Sequence, residues 1–207
     1  LWSEDYSLDT DGGAPTDLMV TFYSEETPVH MGDAPRGWRH WRGELAVAGA
    51  TLVSVEGTDF ANPTTQHVDQ NGNGATFRTN TRGETSSLLL SVTDVQPGAA
   101  IVLELEEAAE TGSAPPFYRP RVPGGRVRLP LSELRGGRLE RLLPIENYPR
   151  DSVTLRRVRP DGPRDLTFSY TDTDTPRQGD YYFVRVRQLN DAMAWSSPVW
   201  VGGHPSQ

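Results

Sequence analysis

Short segments in which every second residue is apolar recur along this chain of 207 residues, and glycine, proline, asparagine or aspartate separates them. A period of two places alternate side chains on opposite faces of a β-strand, so each segment predicts a strand with one buried and one polar face. The residues predicted to face a core are Leu18, Val20, Phe22, Leu45, Val47, Val53, Val55, Leu88, Leu90, Val92, Ile101, Leu103, Leu105, Val127, Leu129, Leu131, Leu166, Phe168 and Tyr170.

About ten strands punctuated by turn residues are typical of an all-β fold, and they predict an antiparallel β-sandwich, with a jelly roll as its variant, and little or no helix. A chain with 35% hydrophobic residues is long enough for one large β domain or two small ones. We predict a single domain spanning residues 1–207. The alternative is a split near residues 111–125, where prolines and glycines interrupt the pattern.

Three local features refine this prediction. The alternation on either side of Gly49 predicts a hairpin over residues 45–55. A slip in the alternation predicts a β-bulge near the arginine pair 156–157. Residues 132–143 have helix-like leucine spacing, but the glycine pair at 136–137 limits them to one turn or a loop.

The closing stretch YYFVRVRQLNDAMAWSSPVWVGG, residues 181–203, is the most apolar and aromatic part of the chain. Its alternation predicts a closing hairpin, with Tyr182, Val184 and Val186 on the core face. The opposite face is half aromatic and half arginine. Such a face is able to lie under another layer at its aromatic end and reach water at its arginines.

The sequence lacks the residues that several classes of catalytic and metal-binding site require. Without cysteine there is neither a disulfide framework nor a thiolate site. The four histidines are scattered and form no metal-binding motif, and no nucleophile elbow or phosphate-binding glycine loop is present. We therefore predict no catalytic residues, no metal and no cofactor. No apolar run approaches the roughly 20 residues of a membrane-spanning helix, so we predict no membrane partner.

Charge is distributed unevenly along the chain, whose formal net charge is −8. Residues 1–116 hold 5 Arg and 18 acidic residues, whereas residues 117–164 hold 12 Arg and 5 acidic residues. A basic segment of this size is able to contact phosphates. Because several of its arginines alternate with apolar residues along strands, we favour pairing with the acidic half and predict no nucleic-acid partner.

Three aspartate-rich stretches have spacings that suit either calcium or plain turns. Residues 69–74, DQNGNG, match the first half of a calcium-binding loop, but Asn80 stands where the bidentate acid is required. Residues 9–12 and 171–180 also bring carboxylates close together. Aspartate is equally favoured in turns because its side chain bonds the local backbone, and we favour plain turns at all three.

Two tryptophans in the segment GWRHWRGEL make the best candidate for a ligand-binding surface. Trp38, His40 and Trp41 are the candidate site residues, since aromatic rings between polar groups stack on sugars or bases. The competing interpretation is that the tryptophans pack at the end of the sandwich. Exposure of the two indoles distinguishes the interpretations, because rings packed inside count against sugar binding.

Three distinctive segments are GWRHWRGELAVAGATLVSVEGTDFANP, DLTFSYTDTDTPRQGDYYFVRVRQ and MAWSSPVWV. Together they resemble the C-terminal region of an uncharacterised bacterial and archaeal family related to the PHP (polymerase and histidinol phosphatase) metallohydrolases. The resemblance runs from about residue 36 to residue 201. It implies a parent whose N-terminal region carries a His-x-His metal motif. This chain has no such pair, so no metal ligand carries over to any residue, and the resemblance implies a C-terminal domain without the catalytic part.

The expected function is therefore that of a non-catalytic accessory domain whose partner is the N-terminal hydrolase domain of its own parent. The alternative is a carbohydrate- or polymer-binding β-sandwich module. A self-contained enzyme is the third possibility, for which the sequence shows no constellation of residues.

Overall fold

The computed structural model describes ten stretches of the chain: residues 15–25, 38–58, 60, 64–107, 124–134, 137–145, 149–158, 167–175, 177–187 and 193–201. Contacts between Cα atoms divide the chain into two units, residues 1–159 and residues 160–207. The described residues of the first unit contain two five-stranded antiparallel sheets and a 3-10 turn at Leu131–Glu133. Within the described ranges, no helix has the length and apolar character needed to cross a membrane.

The two sheets of the first unit form an antiparallel β-sandwich, which confirms the predicted fold class. The first sheet has the order β3-β6-β1-β10-β9, with strands at Thr51–Thr58, Thr85–Thr93, Thr16–Tyr23, Ser152–Val158 and Arg138–Leu142. The second has the order β4-β5-β2-β7-β8, with strands at His67–Asn71, Gly74–Arg82, Trp38–Ala48, Ala100–Leu105 and Gly125–Pro130.

The core lies between the sheets, where apolar side chains from both inner faces interdigitate. Phe22 from the first sheet stacks on Trp41 and Phe77 from the second, with ring centroids 5.4 and 5.2 Å apart. Each fully buried large apolar side chain contributes about 1.5–3 kcal/mol. Burial confirms these predicted core residues: Leu18, Val20, Phe22, Leu45, Val47, Leu88, Leu90, Val92, Ile101, Leu103, Leu105, Leu129 and Leu131.

The predicted hairpin around Gly49 is wrong, because β2 and β3 belong to different sheets. The turn instead carries the chain from one layer of the sandwich to the other. A register shift in β3 lies between Leu52 and Ser54, so Leu52 is buried while Val53 is 52% exposed. The bulge therefore reverses the inward assignment of Val53, whereas Val55 packs partly against the core.

The bulge predicted near residues 156–157 is also wrong. Strand β10 pairs with β1 without a register shift, from Ser152 opposite Tyr23 to Val158 opposite Asp17. Val158 departs from the alternation because its side chain is buried on the face of the sheet opposite to that of Val153. The strand contains no extra residue. In the described part of residues 132–143 the single turn is present as the 3-10 turn at Leu131–Glu133, but Arg138–Leu142 form strand β9, which the prediction of a turn or a loop missed.

Residues 111–125 connect two strands that are neighbours in one sheet. Strand β7 pairs with β8 from Ala100 opposite Pro130 to Leu105 opposite Gly125. The split at 111–125 would separate these hydrogen-bonded partners, whereas the boundary between the two units follows Arg159. The single domain over residues 1–207 stays a prediction.

The described part of the second unit contains a long antiparallel hairpin. Strands β11 (Tyr181–Tyr182) and β14 (Val199–Trp200) pair near its base, and β12 (Arg185–Arg187) pairs with β13 (Met193–Trp195) further along. Ser196 joins the two pairs, because its N–H donates to the carbonyl oxygen of Val184 at 2.9 Å and its hydroxyl accepts from the N–H of Val184 at 2.9 Å. The pairing of the predicted hairpin is confirmed, but its role in closing the fold stays a prediction.

The predicted burial in the second unit is wrong. Tyr182, Val184 and Val186 are exposed, because a two-stranded hairpin has too little surface to enclose a core. Phe168 and Tyr170 are exposed as well and lie outside any strand, so the strand predicted there is not formed. Leu166 lies outside the described residues.

Candidate functional site

The alternation of β2 separates two of the predicted site residues. Trp41 is 0% exposed and its indole N–H donates to the hydroxyl of Thr81 at 2.8 Å, so its polar atom is satisfied inside the core. His40 is exposed on the other face of the strand. The side chain of Trp38 lies outside the described residues. His40 and Trp41 therefore do not share a stacking surface, and the burial of Trp41 favours the packing interpretation.

A buried ion pair lies beside Trp41 at the end of the core. The guanidinium Nε of Arg39 donates to a carboxylate oxygen of Asp151 at 2.5 Å, and both side chains are 0% exposed. The other carboxylate oxygen of Asp151 accepts from the backbone N–H of Glu25 at 2.7 Å. Burial raises the pKa of Asp151, and the Glu25 N–H bond and the Arg39 charge oppose that rise.

This ion pair joins parts of the chain that are 112 residues apart. Strand β2 supplies Arg39 from the first half of the chain, and Asp151 immediately precedes β10. The pair therefore links the two sheets of the sandwich, because β2 and β10 belong to different sheets. The sequence carried a signal for it, because Arg39 has the same strand parity as the buried Trp41, but the pattern alone did not indicate the partner.

Charge pairing between the basic segment and the acidic half occurs among the described residues near the surface. Arg126 lies 3.3 Å from Glu104 across neighbouring strands, and Arg150 lies 4.0 Å from Glu25. These pairs agree with the interpretation that arginines of residues 117–164 neutralise acids of residues 1–116. Exposed pairs of this kind contribute about 0–1 kcal/mol each, so they balance charge more than they stabilise the fold.

The calcium-like stretch at residues 69–74 forms the tight turn between β4 and β5. Asn73 contacts the crossing between the two sheets: its side-chain N–H groups donate to the carbonyl oxygens of Val47 and Ala50 at 2.7 and 2.8 Å. Its side-chain oxygen accepts from the N–H of Leu52 at 2.6 Å. The amide that a calcium ion would need is thus used to hold the backbone.

Replacing Asn73 with alanine is expected to lower the free energy of unfolding by about 1–2 kcal/mol, because three backbone groups lose a partner at a partly exposed site. Urea denaturation followed by circular dichroism measures this change. Asn71→Ala, at an exposed position of the same hairpin, is the matched control and is expected to cost about 0.5 kcal/mol or less. Equal effects of the two substitutions would show that the Asn73 bonds do not stabilise the turn.

The stretch at residues 171–180 forms an open cleft in the second unit, with a volume of about 670 Å³. Its lining is polar and aromatic, and it consists of Asp172, Asp174, Thr175, Arg177, Gly179, Asp180, Tyr181 and Tyr182. Among the residues that the structure describes, no group of three or more histidine, aspartate or glutamate side chains has a geometry that could hold a metal ion. Residues 9–12, the third aspartate-rich stretch, lie outside the described residues.

Hydrogen bonds order the aspartates of this cleft. The phenol of Tyr182 donates to one carboxylate oxygen of Asp172 at 2.5 Å, and the N–H of Asp174 donates to the other at 3.0 Å. A carboxylate oxygen of Asp180 accepts from the N–H of Arg177 at 2.7 Å. The bond from Tyr182 is the main reason that the pKa of Asp172 is lowered, and the same bond raises the pKa of Tyr182 to about 12.

Replacing Tyr182 with phenylalanine is expected to raise the pKa of Asp172 toward its ordinary value of 3.8. A lowered pKa in the folded state stabilises that state above pH 3.8, and this contribution is lost as the pH falls through the folded pKa. Carboxyl carbon chemical shifts, followed by NMR from pH 2 to 6, measure the change. An Asp172 titration that Tyr182→Phe leaves unchanged would contradict the bond.

Comparisons of the chain with family models, with curated proteins and with solved structures find no match. Inferences about function therefore depend on the residues themselves and on the sequence resemblance described above.

Proposed function

We propose that this chain serves as a non-catalytic β-sandwich accessory domain that packs against a PHP-like, metal-dependent hydrolase domain and stabilises it. The observation that carries the proposal is that charged and aromatic side chains of the sandwich are buried, where they neutralise each other or pack in the core. Arg39 and Asp151 neutralise each other inside the molecule, and Trp41 lies in the core. Residues used in this way support a scaffold rather than a reaction.

The resemblance to the C-terminal region of PHP-related proteins supports the identity of the partner. Its most distinctive segments belong to structural elements here, since WRHWRGELAVA forms the central strand β2 and MAWSSPVW forms one side of the closing hairpin. A shared fold-forming role for these segments accounts for a resemblance that does not include the metal ligands.

Binding of an accessory domain to the folded hydrolase domain stabilises the latter by mass action. The test begins with the reading frame upstream of Leu1, where we expect a region with a His-x-His motif. That region is purified alone, with residues 1–207 added in trans, and with them covalently attached. We expect its melting temperature to rise by several degrees in the last two samples.

Hydrolysis of bis(p-nitrophenyl) phosphate with Mn²⁺ or Zn²⁺ tests whether catalysis belongs to the upstream region and not to residues 1–207. We expect activity from the upstream region and none from residues 1–207 alone. Phosphoesterase activity of residues 1–207 by themselves, or an upstream frame without a metal motif, would overturn the proposal.

A further inference from the structure

The closing hairpin carries a cluster of three aromatic rings, of which two are exposed and one, Trp200, is half-buried. Tyr181 and Phe183 are 54% and 52% exposed, and their rings stack with centroids 6.3 Å apart and planes 19° apart. The ring of Trp200 lies 5.0 Å from that of Tyr181 at 44°. These three rings form an aromatic platform, and exposed apolar clusters rimmed by polar groups mark binding surfaces.

Backbone pairing holds this platform in place. Tyr181 lies directly opposite Trp200 in the β11–β14 pair. The N–H of Val201 donates to the carbonyl oxygen of Asp180 at 2.8 Å, which anchors the base of the hairpin beside the rings. Rings already held in a binding arrangement lose little conformational freedom when a ligand stacks on them.

The platform adjoins the aspartate cleft, because Tyr181 belongs to both. Three carboxylates and one guanidinium line the cleft, namely Asp172, Asp174, Asp180 and Arg177. Carboxylates accept and guanidinium groups donate hydrogen bonds, so the cleft offers strong partners of both kinds. The bonds from Tyr182 and from the backbone orient two of the carboxylates in advance.

We propose that the platform and cleft together bind a neutral oligosaccharide. The C–H groups of a sugar ring carry a small positive charge and stack on the negative face of an aromatic ring, while its hydroxyl groups both donate and accept hydrogen bonds. Platform and cleft supply these two kinds of contact side by side. The proposal moves ligand binding away from Trp41, and it does not depend on the accessory role proposed above.

Two other ligand classes fit less well. Nucleic acids also stack on aromatic rings, but three carboxylates against one arginine repel phosphates. Aromatic cages that bind quaternary ammonium groups surround the cation with rings. Here the planes of Tyr181 and Phe183 differ by only 19° and the two rings stack, so they do not enclose a cation.

Isothermal titration of residues 1–207 with cellohexaose, xylohexaose, maltohexaose and chitohexaose tests the proposal. We expect at least one of these sugars to bind and to quench tryptophan fluorescence. Tyr181→Ala and Trp200→Ala are each expected to weaken that binding about tenfold, the loss that follows removal of one stacking ring. Asp180→Asn is expected to weaken it as well, because the amide replaces a charged acceptor.

Phe168→Ala is the matched control, since Phe168 is an exposed aromatic residue of the same unit that does not line the cleft. Its affinity is expected to equal that of the parent chain, and melting curves verify that all variants remain folded. Absence of binding to all four sugars, or equal loss in the Phe168 variant, would overturn the proposal. A sedimentation experiment in which Tyr181→Ala abolishes self-association would also overturn the proposal, because that result would identify the platform as a protein interface.

Discussion

Replacing Gly43 with alanine is expected to destabilise the sandwich severely. Gly43 lies in the middle of the central strand β2, paired with Phe77 on one side and Leu105 on the other. A Cβ atom there would overlap the carbonyl oxygen of Glu104 in the neighbouring strand, and φ is +151°, which L-residues rarely adopt. Because the obstacle is backbone in the same sheet, relief requires separation of the strands, at a cost on the order of 4 kcal/mol or more.

Gly98→Ala is the matched control for this prediction. Gly98 also has positive φ, at +83°, but no atom lies within 4 Å of the position of its added Cβ. The control therefore carries backbone strain without overlap, and it is expected to cost about 1–2 kcal/mol. Urea denaturation of both variants separates the two effects. Equal losses would show that steric overlap with Glu104 is not what requires glycine at position 43.

Replacing Asp151 with alanine is expected to lower the free energy of unfolding by about 3–5 kcal/mol. The change leaves the guanidinium of Arg39 buried without its counterion, and it removes the acceptor of the Glu25 N–H group. The cost of an uncompensated buried charge exceeds the net value of the pair itself. Thermal and urea denaturation at pH 7 measure the loss.

Two further variants test this explanation. Arg126→Ala breaks an exposed pair with Glu104 and is expected to cost about 1 kcal/mol or less. The double variant Arg39→Met with Asp151→Leu removes both charges, and it is expected to be more stable than Asp151→Ala alone. A double variant that is no more stable than the single one would show that packing, not the unpaired charge, explains the loss.

Strand positions were predictable from the sequence wherever the alternation was regular. The segments containing Leu18, Leu88 and Ile101 each became a strand with the predicted inner face, because the two-residue period is a local property of the chain. Val53 was misassigned because the bulge after Leu52 depends on pairing with β6. Gly49 was misassigned because hairpins and sheet crossings use similar turn residues, and the choice depends on distant strands.

The candidate sites were less predictable than the strands. The sequence marked residues 38–41 and 171–180 as chemically rich, and both proved to be structured. It did not show that Asp151 completes a buried pair with Arg39, because that contact spans 112 residues. Nor did it place Tyr181 and Trp200 opposite each other beside the aspartates.

The sequence by itself determined that this protein is an antiparallel β-sandwich with a terminal hairpin, because period-two apolar patterns and turn residues act over a few positions. Only the tertiary structure decided which strands share a sheet, which charge neutralises Arg39 and which aromatic rings stay exposed. These outcomes follow from long-range pairing: each strand selects its neighbours through hydrogen bonds and packing across the whole sandwich. Residues that the local pattern places alike, such as Val20 and Val184, thereby acquire opposite environments, one in the core and one at the surface.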